Sequence, residues 1–89
     1  MRAVVTVIGK DTVGILARIS TICAENGVNV IEVTQSVMQD LFAMIMMIDI
    51  SKSSLAFNEL SDRLTAIGGD MNQTVHVMHE DIFNSMHRI

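Results

Sequence analysis

The chain predicts an α+β fold, a ferredoxin-like βαββαβ two-layer sandwich with its antiparallel sheet in the order 4-1-3-2 and a short C-terminal helix. Three observations lead there. A helix-glycine-strand pattern occurs twice, at Gly27 and at Gly68-Gly69. Two β-type runs, joined only by Gln39-Asp40, lie between the two helical stretches. The 89 residues suffice for one two-layer core and no second lobe. Strands and helices in this order form a split βαβ unit, whose right-handed crossovers place both helices on one sheet face.

Residues 2–8 are valine-rich and end at Gly9, as a strand does. Over residues 14–26, Ile15, Ile19 and Ile22 recur at helical spacing, widened by Leu16 and Cys23, and Gly27 stands where a left-handed C-terminal cap belongs. Residues 28–38 alternate around Val30, Ile31 and Val33 and then turn polar, which predicts an edge strand with one wet side. Residues 41–50 carry Met44, Ile45, Met46, Met47 and Ile48 in succession, which predicts a central strand covered on both faces. Residues 51–54 offer capping hydroxyls for a helix striped by Phe57, Leu60, Leu64 and Ile67 and stopped by Gly68-Gly69. A fourth strand spans 71–80. Residues 81–89 place Ile82, Phe83, Met86 and Ile89 on one helical face, and so short a helix must dock on something. The division is a domain over 1–80 and a helical extension over 81–89.

Composition narrows the function. Hydrophobic residues make up 49% and charged residues 18%, greasy for a small monomer, so part of the apolar surface is expected to meet a second subunit, in a dimer. A net charge of -4 and three aromatic residues argue against nucleic-acid binding, which needs a basic face. With one cysteine, no signal peptide and no apolar run of membrane-spanning length, the expected compartment is the cytoplasm, with no membrane partner.

The candidate binding element is the loop Gly9, Lys10, Asp11, Thr12, Val13 and Gly14, which joins a strand to a helix N-terminus. Glycines let the backbone approach a ligand, and the first helical turn offers unpaired N–H groups and positive dipole to a small anion. The GxDxxG pattern is neither a dinucleotide fingerprint nor a phosphate loop, because Lys10 comes too early. Asp11 and Thr12 also suit helix capping, and Asn29 also suits a turn.

Other chemistry is poorly supported. His76 and His79 point to opposite faces of a strand, and neither a second cysteine nor HExxH spacing accompanies them, so no metal is expected. The scattered carboxylates form no acid–base pair, and no catalytic residue or cofactor is predicted. The first loop lacks the arginine of an acylphosphatase-like enzyme and the CxxC of a metallochaperone.

The segments VVTVIGKDTVGILARIS and ENGVNVIEVTQSV, with the glycine pair before the last strand, resemble the ACT domain, an amino-acid-sensing module of regulated metabolic enzymes. The resemblance covers nearly the whole chain. It is nearest to stand-alone small ACT-domain proteins related to the glycine-cleavage-system repressor, with the ending IFNSMHRI in support. It implies that an amino acid is held between the first loop, at Gly9, Asp11 and Gly14, and Asn29 at the start of the second strand, usually at a subunit interface. Val13 replaces a proline frequent in the family, and Gly9 a histidine of serine-binding members. The expected function is therefore a non-enzymatic regulatory module that senses a small metabolite, an amino acid, at a dimer interface and acts on a regulated protein partner. The alternatives are an assembly module without a ligand, or a small isomerase or hydrolase.

Overall fold

The computed structural model describes residues 1–10 and 14–86. Its elements run β1 (Arg2–Lys10), α1 (Ile15–Glu25), β2 (Asn29–Met38), β3 (Leu41–Asp49), α2 (Phe57–Asp70), β4 (Gln73–His79) and α3 (Glu80–Met86). The sheet order is β2-β3-β1-β4 with every neighbouring pair antiparallel, which is the predicted 4-1-3-2 arrangement. No helix among the described residues is long and apolar enough to cross a membrane.

Period-two alternation sorts each strand between two faces. Ala3, Val5 and Val7 of β1, and Phe42, Met44, Met46 and Ile48 of β3, face α1 and α2 and pack with Ile19, Cys23, Leu60 and Leu64 in one core. A bulge between Val30 and Glu32 lets Val30 and Val33 both turn toward that core and leaves Ile31 exposed. Among the described residues the opposite face carries only α3. Within one chain α3 covers only part of that face of β3, and Leu41 and Ile45 remain exposed. A helix of seven residues is too short to span four strands. Nor does α3 dock by a full stripe: Phe83 is half-buried while Ile82 and Met86 are exposed, and Ile89 lies outside the described residues.

Helix α1 ends as predicted. Gly27 takes φ 73°, the Val28 N–H donates to the Cys23 carbonyl at 2.8 Å, and the Gly27 N–H donates to the Ala24 carbonyl at 3.4 Å. This is a Schellman closure, with buried Val28 and Cys23 as its apolar pair.

Helix α2 differs from expectation at both ends. Its cap residue is Ala56; the hydroxyls of Ser53 and Ser54 instead bond to Leu55 and Asn26 and tie the loop down. The helix also continues through Gly68-Gly69 to Asp70, and the reversal falls at Asn72 with φ 57°. Gly68 serves proximity, not termination. A Cβ there would lie 2.3 Å from Val75 Cγ2 and 3.0 Å from the Gln73 carbonyl oxygen, whereas one at Gly69 would meet nothing within 4 Å.

The two glycines should thus respond oppositely to alanine. Alanine gains up to about 1 kcal/mol of helix propensity over glycine, but overpacking a core contact costs ~1–3 kcal/mol. Gly68→Ala is expected to lower stability in urea melts and Gly69→Ala to raise it. A Gly68→Ala protein as stable as wild type would refute the close-packing role.

Candidate functional site

Gly9 and Lys10 end β1, and Gly14 stands directly before α1. Asp11, Thr12 and Val13 lie outside the described residues. Gly9 pairs with Phe42 on β3 and Gln73 on β4. A Cβ at Gly9 would lie 2.3 Å from Gln73 Oε1, 2.7 Å from its Cδ and 3.0 Å from the Asn72 carbonyl oxygen. The buried Gln73 side chain occupies that space, and its Nε2 donates to the Lys10 carbonyl. The backbone approach allowed by Gly9 thus serves packing within the chain. Gln73 is the residue that sequence reading missed; its signal was a polar residue at the first inward position of β4, followed by inward Val75 and Val77.

Gly14 is different. Its φ of 96° and ψ of -4° lie in the left-handed region, which non-glycine residues seldom adopt, and a Cβ there would meet nothing within 4 Å. Its carbonyl accepts the first helical bond, from the Arg18 N–H at 3.0 Å. The N–H groups of Ile15, Leu16 and Ala17 precede that bond and have no intrahelical acceptor. The cap position falls on Gly14 rather than Asp11 or Thr12, so it supplies no side-chain oxygen, and the first turn contains no acidic residue. A helix N-terminus with this composition is electrostatically matched to a carboxylate.

Asn29 is not brought to this loop within one chain. It pairs with Asp49, which pairs with Arg2 at the start of β1, whereas Gly9 at the end of β1 aligns with Phe42 and Val37. From Asn29 to Val37 the strand spans ~26 Å at ~3.3 Å per residue. Asn29 instead lines a shallow cavity of about 250 Å³ with Gly27, Asp49, Ser51 and Lys52. There the Ser51 hydroxyl and N–H both donate to Asp49 Oδ1, at 2.6 and 2.9 Å, and the Met1 amino group stands 3.9 Å away. These Ser51 hydrogen bonds, assisted by the positive charges of Met1 and Arg2, hold the Asp49 carboxyl below its usual range.

The remaining candidate groups are dispersed. The His79 ring stacks on Phe57 with centroids 4.2 Å apart, while His76 lies on the other face, opposite Thr6. No three His, Cys, Asp or Glu residues gather for a metal among the described residues. Cys23 is buried, and burial pushes its thiol up.

A sequence model described as the ACT domain matches residues 2–78. A UPF0237 protein of Listeria innocua is 45% identical over 89 residues, which cover 100% of both chains. Among solved structures, an ACT domain protein from Streptococcus pneumoniae superposes with a TM-score of 0.79 at 32% identity over 98% of each chain. A putative glycine cleavage system transcriptional repressor shares the fold, with a TM-score of 0.73 at 21% identity over 85% of this chain and 43% of that one.

Proposed function

The chain belongs to the ACT domain family, and from that premise we propose that it is a non-enzymatic regulatory module. It binds an amino acid between two copies in the cytoplasm and passes occupancy to a protein partner. The observation that carries this reading is the start of α1: a left-handed glycine with open space where a side chain would stand, and a first turn with no capping side chain at Gly14 and no acid. The ligand carboxylate takes the first-turn N–H groups.

Asn29 enters from the second copy. β2 is an edge strand parallel to β1, so antiparallel pairing of two β2 edges brings one copy's Asn29 to the other's loop end. Each site then has two halves. Gly9, Lys10, Asp11, Thr12, Val13 and Gly14 come from one copy and Asn29 from the other, where its amide contributes about 0.5–1.5 kcal/mol through one hydrogen bond.

The assembly reading has one observation in its favour: Gln73 already accounts for the missing Cβ at Gly9. A thermal-shift screen of the twenty amino acids separates the two. A ligand that binds only the native state adds ~2.7 kcal/mol at a hundredfold excess over Kd, and each kcal/mol moves Tm by roughly 4–8 °C in a domain of this size. At least one amino acid is expected to raise Tm in a concentration-dependent way. A flat response to all twenty at millimolar concentration defeats the sensing reading and leaves the assembly module.

A further inference from the structure

The sheet face opposite α1 and α2 carries a cavity of about 290 Å³, lined by Val4 of β1, Glu32 and Thr34 of β2, Ile45 and Met47 of β3, and Phe83 of α3. We propose that this cavity is a second ligand site, complete within one copy, for a small cation with an apolar body: a protonated primary amine on a short chain or ring. It does not rest on the amino-acid reading, because α1 and its N-terminus pack on the other face of the sheet.

Strand register builds the floor. Glu32 pairs with Met47 and Met47 with Val4 in one row across three strands, and Thr34 pairs with Ile45 in the next row on that face. Strict alternation from inward Val30 would turn Glu32 into the core, but the bulge between them shifts the phase and sends its carboxylate to the open face. Bulges recur beside functional sites because they re-aim a side chain in this way. Helix α3 supplies the roof. Its first residue, Glu80, is held by Arg2 of β1 through two contacts, Nη2–Oε2 at 2.7 Å and Nε–Oε1 at 3.2 Å. Beneath it Val4 is only 1% exposed, so the roofed end of the cavity excludes water, while Ile45 at 42% leaves the side toward β2 open for entry.

The polar groups decide the ligand. Among the described residues Glu32 is the single charged group of the lining, and neither it nor Thr34 makes a side-chain hydrogen bond or ion pair there. Arg2, two residues from Val4 on the same face, is already engaged by Glu80, which leaves Glu32 uncompensated. An apolar cavity with a few convergent polar groups is the usual form of a small-molecule site. An ammonium donates to the Glu32 carboxylate, a charge-assisted contact, and to the Thr34 hydroxyl oxygen. The apolar body lies between Phe83 and the polarisable sulfur of Met47. A carboxylate in the same place would meet Glu32 with no cation to offset it. At ~30 Å³ per water-sized group the cavity takes about ten heavy atoms.

2-Phenylethylamine has that size and is protonated at neutral pH, as lysine is; 2-phenylethanol is its uncharged counterpart. In a methyl NMR titration of the full chain, the amine is expected to bind saturably at about millimolar concentration, shifting Val4, Thr34, Ile45 and Met47, and the alcohol to bind about tenfold more weakly. Glu32→Gln should lower the amine affinity about tenfold and leave the alcohol within about twofold. Thr34→Phe, at an exposed position, should fill the cavity and abolish binding of both while circular dichroism stays native. No saturable shift with the amine, an amine affinity unchanged in Glu32→Gln or in Thr34→Phe, or shifts centred on Ile15 and Leu16 at the start of α1 overturns the proposal. So does a Glu32→Gln protein altered only in self-association, where the bulge and its charge merely guard the sheet edge.

Discussion

Leu64→Ala is expected to remove about 2–5 kcal/mol of unfolding free energy, the range for truncating a fully buried leucine. Leu64 sits in α2 with no exposed surface and joins the single core that links both helices to the sheet. A domain of 89 residues has roughly 4–13 kcal/mol to lose, at ~0.05–0.15 kcal/mol per residue. This one change therefore takes from about a seventh of the total to all of it, depending on how far the core collapses around the void. Urea melts should show the midpoint falling at an unchanged slope, with exposed Thr65→Ala, its neighbour on α2, within about 0.5 kcal/mol of wild type. A loss under 1 kcal/mol for Leu64→Ala would mean that α2 is not held by this core.

Gly14→Val should abolish amino-acid binding and also weaken the fold. The strain of a β-branched residue at φ 96° costs about 1–3 kcal/mol, while the added side chain enters the space where the carboxylate is proposed to sit. Calorimetry should report an affinity loss of tenfold or more, and Gly14→Asn, which tolerates a left-handed backbone better, separates crowding from strain. The decisive step is mixing. When Gly14→Val and Asn29→Ala chains are combined, each mixed dimer carries one doubly damaged site and one site built wholly from intact parts. Wild-type affinity, which Asn29→Ala alone weakens and Gly14→Val alone abolishes, should reappear at up to half the wild-type stoichiometry per mixed dimer. No recovery after verified subunit exchange would mean that loop and asparagine do not meet across two copies.

The sheet order was legible because alternation and helical stripes rest on burial, which acts on every residue of an element: Val5 and Val7, Ile15 and Ile19, Leu60 and Leu64 all sit where their spacing puts them. Errors gathered at single residues whose role depends on distant neighbours. Gly68 reads as a helix stop until Val75 is known to press on it, and nothing in the spacing signals that Gln73 fills the Cβ space of Gly9. The serines of residues 51–54 read as caps, but their hydroxyls are drawn to Asp49, Leu55 and Asn26. Asn29 is the most instructive case. Its place at the head of β2 was correct, yet only the strand register shows that it stands at the far end of the sheet from Gly14.

The position of β1 carries a consequence for how the chain acquires its shape. This strand lies between β3 and β4, with Ala3 opposite both Ile48 and His79. β1 is made before β3 and β4 and thus waits for most of the residues that follow it before its second edge is closed. Loop-closure entropy must be met before such distant pairs contribute, so folding should be slower than in a helical bundle of equal length. A nascent chain ending before β4 would display a valine-rich edge with nothing beside it, the state most open to mispairing during synthesis.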